Sequence, residues 1–181
     1  MSRYRIAHLV LMGVSGCGKS SVGARLAART GLPYLDGDDL HPTENIERMR
    51  RGIPLGDADR WPWLERCGQA LAAAPDGMIL GCSALRRSYR DRLRQSSGMP
   101  DLFFVHLAGS YALLDRRLSA RRGHYMPASL LDSQFDALEP PRNDENAVTI
   151  DIDRSPDAVA ESVLRHIGPC RSGVVAASGT I

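Results

Sequence analysis

Three glycines, a lysine and a serine near the start of the chain have the types and spacing that bind a nucleotide triphosphate. Residues 13–20 follow the pattern G-x-x-x-x-G-K-S, the phosphate-binding loop. The glycines let the backbone bend tightly and turn its N–H groups toward an anion, beside the positive end of the next helix. Lys19 can reach the β- and γ-phosphates, and Ser20 offers a hydroxyl to Mg²⁺. The nucleotide-binding candidates in this loop are Gly13, Val14, Ser15, Gly16, Cys17, Gly18, Lys19, Ser20 and Ser21.

An acidic turn over residues 36–39, Asp-Gly-Asp-Asp, is the second candidate for chemistry. Asp36 and Asp38 are one residue apart, so on an extended chain their side chains point the same way. A carboxylate beside a phosphate loop can hold Mg²⁺ through its water shell or accept a hydroxyl proton. The turn could also be an ordinary acidic surface loop. The functional interpretation is favoured because the third predicted strand, residues 78–82, is not followed by an acid, and the metal needs a carboxylate.

Apolar segments alternate with helical ones along the chain, which is typical of a parallel α/β sheet. The predicted strands are residues 6–12, 33–35, 78–82, 102–107 and 148–152. The predicted helices are residues 19–29, 43–51, 59–73, 86–95, 111–121, 128–138 and 156–166. The glycine-rich loop therefore lies between a strand and a helix, where a phosphate-binding loop must be.

We expect one domain over residues 1–168, without internal repeats. Two connections are too long for a simple crossover, and each holds at least one helix. Residues 37–74 are the predicted substrate-binding insert and residues 116–141 the predicted lid, since long inserts beyond the carboxyl ends of strands hold substrate and exclude water. Residues 169–181 are small, unpatterned and predicted to be a flexible tail.

The composition of the chain limits its function classes. Its 181 residues are 43% hydrophobic and 24% charged, as in a soluble globular protein, and the net charge of +2 is too small to favour a nucleic-acid partner. We find no apolar run long enough to span a membrane and no room for a signal peptide, so we expect a cytoplasmic protein without a membrane partner.

Four cysteines lack C-x-x-C spacing, which disfavours zinc, and a reducing compartment disfavours disulfides. We expect free thiols. Cys17, inside the phosphate loop, is either a reactive thiol that blocks ATP when modified or a small residue chosen for fit.

Taken together, the motifs resemble the gluconate kinases, over about residues 6–167. Beside the phosphate loop, the resemblance rests on residues 35–42, 45, 46, 49, 52–55, 57–64, 82–91 and 121–124. The loop alone indicates a nucleotide triphosphate, whereas the stretches 36–64 and 82–91 are specific to this group. By similarity to the related adenylate and shikimate kinases, the fold is expected to be a five-stranded parallel sheet of order 2-3-1-4-5.

The resemblance implies ATP-dependent phosphorylation of D-gluconate on its 6-hydroxyl, with Mg²⁺ as the metal. Lys19, Asp38 and Arg121 are then the catalytic candidates, and Ser20 and Asp36 the metal ligands. Asp38 orients or deprotonates the 6-hydroxyl, while Arg121 contacts the phosphates and Arg117 the adenine, four residues apart on one helix face.

The sequence leaves several residue roles, and the assembly state, open. The substrate carboxylate is assigned to Arg60 with either Arg87 or Arg90, and His41 joins the substrate-binding candidates. The pair Arg117 and Arg121 could instead be a solvated helix face. A homodimer is a possible assembly.

Other functions leave different traces. A kinase of another small anion, such as shikimate or a nucleoside monophosphate, is the alternative enzyme, but shikimate kinases are expected to have a Gly-Gly-Gly turn where this chain has Gly81-Cys82-Ser83. A GTP-binding switch would need an Asn/Thr-Lys-x-Asp motif, and the chain has one lysine, in the phosphate loop. The two tryptophans, Trp61 and Trp63, either pack beneath the insert or stack on a sugar.

Overall fold

A computed structural model describes residues 6–120 and 128–168 of the chain. The five strands are β1 His8–Met12, β2 Tyr34–Asp36, β3 Met78–Gly81, β4 Phe103–Ala108 and β5 Ala147–Asp151. The seven α-helices are α1 Lys19–Thr30, α2 Thr43–Arg50, α3 Asp57–Ala72, α4 Arg87–Ser97, α5 Tyr111–Ser119, α6 Ala128–Ala137 and α7 Pro156–Ile167. A short 3₁₀ helix, Gly37–Leu40, follows β2. Within the described part of the chain, no helix has the length and apolarity needed to cross a membrane.

The sheet is parallel throughout and has the order β2-β3-β1-β4-β5, which confirms the predicted order. β1 lies in the centre, where Leu9 pairs with Ile79 on one side and with Phe103 on the other. Residues 9–12 are fully buried because a central parallel strand is covered on both faces. The carboxyl end of β1 therefore delivers the glycine-rich loop to the middle of one sheet edge.

Two apolar layers cover the sheet. Leu9 and Leu11 of β1 join the layer that includes α1 and α7, whereas Val10 and Met12 join the layer that includes α3 and α4. This division follows from the alternation of side chains along a strand. The two layers hold the sheet rigid beneath the loops at its carboxyl edge.

Helix ends differ from the predictions by one or two residues, for local reasons. α3 begins at Asp57 rather than at Asp59, because Asp59 lies in the first turn and its carboxylate accepts the Gly56 N–H at 2.8 Å. The hydroxyls of Ser110 and Ser155 cap α5 and α7 by accepting backbone N–H groups. α5 ends at Ser119 with Ala120 as its C-cap, whereas the predicted last residue, 121, lies outside the described residues, as does the predicted tail.

Candidate active site

The glycine-rich loop has the backbone geometry that the sequence predicted. Gly13, Gly16 and Gly18 have φ values of 137°, 81° and 95°, in the region that side chains disfavour. A Cβ on Gly13 would lie 2.9 Å from the Leu107 carbonyl oxygen, so the loop lies directly against β4. The Gly13 N–H donates to the Ser83 carbonyl at 3.1 Å, which ties the loop to the residues after β3. The loop is thus fixed from two neighbouring strands.

Lys19 lies across the loop. Its Nζ donates to the carbonyl oxygens of Gly13 at 3.0 Å and Val14 at 3.4 Å, and it lies 3.9 Å from the Cys17 sulfur. The lysine ammonium is therefore held at the mouth of the anion cradle. Cys17 itself is buried, with 1% of its surface exposed.

Gln134 of α6 contacts this loop, a contact that sequence reasoning missed. Its Oε1 accepts the Ser15 backbone N–H at 2.6 Å, and its Nε2 donates to the Ser15 hydroxyl at 3.1 Å. The two residues are 119 positions apart. No sequence signal connects them, because a glutamine on a helix surface has no pattern of its own. α6 is thus fastened to the phosphate loop by two hydrogen bonds.

Ser20 and Asp36 come together at the start of α1. The Ser20 hydroxyl donates to Asp36 Oδ2 at 2.8 Å, and the Tyr34 hydroxyl donates to the same oxygen at 3.3 Å. Asp36 Oδ1 accepts the Asp38 backbone N–H at 3.2 Å. Burial raises the pKa of Tyr34 well above its ordinary value, so the phenol stays protonated and remains a donor. The structure therefore pairs the two predicted metal-binding residues.

The fit of this pair to Mg²⁺ can be judged from its donors. A hydroxyl and a carboxylate are hard oxygen ligands, and Mg²⁺ in kinases takes only one or two protein ligands with phosphate oxygens and water. Among the described residues there is no group of three or more His, Cys, Asp or Glu side chains placed to hold a metal. The Ser20–Asp36 pair suits a phosphate-bound Mg²⁺ rather than an all-protein metal cage.

Asp38 is exposed two residues after Asp36, on the surface around Lys19 and the acidic turn, which we call the cleft. The surrounding protein excludes part of its water and raises its pKa, an effect that the Lys19 charge opposes and the Asp36 and Asp39 charges reinforce. A carboxylate with a raised pKa is a better proton acceptor than an ordinary aspartate. The position beside Lys19 is consistent with the predicted role toward a substrate hydroxyl.

His41 and Trp63 form the wall next to the acidic turn. Their rings stack with centroids 4.2 Å apart and an interplanar angle of 13°, and the Trp63 indole donates to the Gly37 carbonyl at 2.6 Å. Burial and the nearby Arg60 charge lower the pKa of His41 to about 4, so the imidazole is neutral. Trp63 is 2% exposed and packs beneath the insert, as one of the two sequence interpretations held.

Two arginines, Arg60 and Arg86, converge on the Asp57 carboxylate, and Arg60 is close enough to His41 to affect its pKa. Arg86 donates to Asp57 at 3.1 Å, while Arg60 lies 3.6 Å from Asp57 and donates to the Tyr89 hydroxyl at 3.0 Å. The Tyr89 hydroxyl donates in turn to Asp57 at 2.5 Å. Both guanidinium groups lie over the Tyr89 ring, at 5.5 and 5.8 Å from its centroid. Arg86 was absent from the sequence-based candidates.

Arg90 does not reach the cleft. It is fully buried and forms an ion pair with Glu145, so the expectation that it holds substrate is corrected: its guanidinium has no surface to offer. Arg87 is partly exposed and bonds elsewhere: its Nη1 donates to Asp144 at 2.8 Å, and this ion pair raises the arginine pKa. The structure brings Arg60 together with Arg86. Neither Arg87 nor Arg90, the two partners expected from the sequence, joins them.

Arg117 lines a cavity of about 330 Å³ on the other side of the phosphate loop. Its Nη2 donates to the Ile152 carbonyl at 2.8 Å, which places the guanidinium at the end of β5. The remaining walls include Gly16, Cys17, Ser21, Arg154, Pro156 and Val159. The predicted partner Arg121 lies outside the described residues, so its position toward the phosphates stays a prediction.

Comparisons with known proteins agree on one family. The AAA domain family model matches residues 9–141. The chain is 48% identical over 161 residues to a gluconokinase of Gluconobacter oxydans, covering 87% of this chain and 89% of that protein. It is 44% identical over 171 residues to the thermosensitive gluconokinase of Escherichia coli, covering 92% and 87% of the two chains.

Solved structures give the same result. The crystal structure of a gluconokinase from Sinorhizobium meliloti matches with a TM-score of 0.84 at 45% identity, over 91% of this chain and 93% of that one. A shikimate kinase from Acinetobacter baumannii in complex with shikimate matches with a TM-score of 0.57 at 19% identity, over 90% and 93% of the chains. The second match shows a shared fold alone.

Proposed function

Because the chain belongs to the gluconokinase family, we propose that it transfers the γ-phosphoryl group of ATP to the 6-hydroxyl of D-gluconate. The products are 6-phosphogluconate and ADP. The observation that supports an acidic substrate most directly is the convergence of Arg60 and Arg86 on the Asp57 carboxylate. Those two guanidinium groups already bind one carboxylate and are suited to a second.

The nucleotide half of the site is the loop over residues 13–21 and the cavity beside Arg117. Loop N–H groups and the start of α1 bind the phosphates, and Lys19 neutralises their charge. The cavity of about 330 Å³ behind Gly16 and Gly18 is of the size and position for the adenosine portion, with Arg117 on its wall. We assign the cavity to adenosine because it is continuous with the phosphate loop.

In this proposal the Ser20 hydroxyl and the Asp36 carboxylate are the groups that would hold Mg²⁺. The ion would supply charge neutralisation at the ATP phosphates. The orientation of both side chains toward each other supports the assignment. The residues of this chain then do the remaining work, which is positioning.

Gluconate is placed between the acidic turn and the two arginines. Arg60 and Arg86 bind its carboxylate, and the neutral His41 offers a ring nitrogen to one of the gluconate hydroxyls. Asp38 orients the 6-hydroxyl and accepts its proton. In a loose phosphoryl-transfer state the nucleophile needs little early activation, so Asp38 acts more by orientation than by basicity. Arg121 remains the proposed lid residue that stabilises the transferring group.

The wider setting rests on the sequence. We place the enzyme in the cytoplasm, with residues 37–74 as the substrate insert and residues 116–141 as the lid of a single kinase domain. The net charge of +2 supports an enzyme without a nucleic-acid partner. A homodimer is the assembly we would test first.

A substrate screen tests the proposed function. Purified protein is given MgATP with gluconate, shikimate or a nucleoside monophosphate, and ADP release is followed through a coupled assay. We expect turnover with gluconate and none with shikimate or a nucleoside monophosphate. Phosphorus NMR of the product should show a phosphomonoester on the terminal carbon. Turnover with shikimate or a nucleoside monophosphate in place of gluconate would refute the assignment.

A further inference from the structure

Tyr34 brings a third polar group to the Ser20–Asp36 pair. Tyr34 and Asp36 are two positions apart on β2, so both side chains lie on the same face of the strand, toward the start of α1. The Tyr34 hydroxyl lies 3.3 Å from Asp36 Oδ2, the oxygen that also accepts the Ser20 hydroxyl at 2.8 Å. One carboxylate oxygen thus collects two hydroxyl donors.

The tyrosine ring is fixed by glycines on two sides. A Cβ on Gly23 would lie 2.2 Å from the ring, and a Cβ on Gly81 would lie 2.3 Å from the hydroxyl oxygen. Gly23 is in the middle of α1, where glycine costs a helix about 1 kcal/mol relative to alanine. The slot that these glycines leave fits the Tyr34 ring and fixes where its hydroxyl points.

Three hydrogen bonds then fix the orientation of the Asp36 carboxylate, which can accept about four. Oδ2 is held by Ser20 and Tyr34, and Oδ1 accepts the Asp38 backbone N–H at 3.2 Å. Groups that hydrogen-bond to metal ligands in this way fix the orientation of the ligand, and removing them weakens metal binding. Ser20 and Asp36 are the residues to which we assign Mg²⁺.

We propose that Tyr34 is a positioning residue for the metal site: its hydroxyl orients the Asp36 carboxylate and the Ser20 hydroxyl so that both face the Mg²⁺ of the bound nucleotide. The inference rests on the proposed function, because it takes the metal site from that proposal. It adds a residue whose contribution is confined to the orientation of the metal ligands.

The variant Tyr34→Phe removes the hydroxyl and keeps the ring in its slot. The probe is Mn²⁺, whose free concentration is read by electron paramagnetic resonance in the presence of saturating ADP. We expect Mn²⁺ binding to the protein–ADP complex to weaken by about tenfold, the lower end of the range for residues that hold metal ligands. The affinity for ADP in excess EDTA and the melting temperature should be unchanged.

Tyr111→Phe is the matched control. The Tyr111 hydroxyl donates to Asp132 at 2.6 Å, so this variant also deletes one tyrosine–aspartate hydrogen bond, but on α5 and α6 and away from the metal site. It should leave Mn²⁺ binding unchanged. Unaltered Mn²⁺ binding in Tyr34→Phe, or an equal loss of metal-free ADP binding, would overturn the proposal.

Gly81→Ala reaches the same hydroxyl from the other side, since the added Cβ must displace it. Mn²⁺ binding should weaken in this variant. Adding Gly81→Ala to Tyr34→Phe should cause a smaller loss than Gly81→Ala alone, because the added Cβ then meets only the ring, at 3.1 Å from Cζ. An equal loss in both backgrounds would contradict the proposal. These measurements contain no gluconate, so a protein that binds Mn²⁺ and ADP normally but fails to phosphorylate gluconate would refute the substrate assignment and leave the Tyr34 inference standing.

Discussion

Arg90 and Glu145 form a two-point ion pair in the interior of the protein. Arg90 Nε lies 2.6 Å from Glu145 Oε2 and Nη2 lies 2.7 Å from Oε1, and each side chain is 1% exposed. Arg90 Nη1 also donates to the carbonyl oxygens of Ala84, Leu85 and Glu139. The arginine thereby connects the segment after β3, which leads to Arg86, with the segment before β5.

Breaking this pair from one side should destabilise the protein strongly. Arg90→Met leaves the buried Glu145 carboxylate with Arg94, at 3.4 Å, as its remaining cation, so we expect the free energy of unfolding in urea to fall by about 3 kcal/mol, the lower end of the range for breaking a buried ion pair. The double variant Arg90→Met/Glu145→Leu removes both charges and should recover most of that loss. A stable Arg90→Met protein whose only defect is a raised KM for gluconate would restore Arg90 to the substrate site.

Arg86 and Arg87 are neighbours that should behave differently. Arg86→Ala removes one of the two guanidinium groups proposed for the substrate carboxylate, so the KM for gluconate should rise about tenfold to a hundredfold, the range for losing a hydrogen bond to a charged group. Arg87→Ala breaks an exposed ion pair with Asp144 and should change the KM less than threefold.

Steady-state kinetics with both variants decide between the two arginines. Arg165→Ala, which removes an exposed arginine on α7, is the control for a simple change of net charge. A larger effect in Arg87→Ala than in Arg86→Ala would reverse the assignment.

Substitution of Asp36 and substitution of Asp38 should impair different steps. Asp38→Asn keeps the shape and one acceptor but removes the charge, so gluconate phosphorylation should fall severely while ATP binding is retained. Asp36→Asn should raise the concentration of Mg²⁺ needed for half-maximal rate. Calorimetric ATP binding, magnesium dependence and turnover are measured for both variants. A magnesium defect in Asp38→Asn would exchange the two roles.

Two buried histidines predict how stability depends on pH. Burial, together with the charge of a neighbouring arginine, lowers the pKa of both His41 and His106 from 6.5 to about 4. Between those values the unfolded chain binds protons that the folded chain does not. Stability should therefore fall as the pH is lowered from about 6.5 to about 4, by up to about 1.4 kcal/mol per pH unit for each histidine, and this effect should level off below that window.

Glu145 acts in a lower window. The hydrogen bond from Arg90 lowers the pKa of Glu145 to about 2, so the contribution of Glu145 to stability is present above about pH 4.5 and is lost as the pH falls through about 2.

The histidine effect is measured by urea unfolding of the wild type, His106→Gln and the exposed control His166→Gln at pH 8 to 4. An unchanged slope in His106→Gln would exclude His106 as its source.

The fold and the phosphate loop could be predicted because their signals are local. The loop pattern lies within eight residues, and each strand and helix has its own periodicity. The arginines were harder, since Arg86, Arg87 and Arg90 carry the same charge. Their directions depend on where α4 begins: Arg86 has extended backbone, with φ −96° and ψ 151°, and the helix starts only at Arg87. A shift of one residue exchanges Asp57 for Asp144 as the partner of the guanidinium group.

Contacts between distant segments were beyond sequence reasoning. The Gln134–Ser15 contact joins residues 119 positions apart, and the Tyr34 ring depends on glycines in α1 and β3. Such contacts are decided by packing, which a single sequence does not display. The proximity of Asp36 to Ser20 could be predicted because the chemistry of a metal–nucleotide site demands a carboxylate beside the loop, wherever the chain supplies it.

The central position of β1 affects how the molecule is made. β1 has no hydrogen-bonded neighbour close in sequence: His8 pairs with Met78, and Met12 pairs with His106. β1 precedes the other four strands of the sheet in the sequence, but it cannot pair with both neighbours until residues as far as His106, 94 positions after Met12, have followed. Such non-local pairing slows folding, because loop closure precedes any gain from contacts. Nucleotide can therefore stabilise only late folding species, and an N-terminal fragment ending before β3 should bind no ATP.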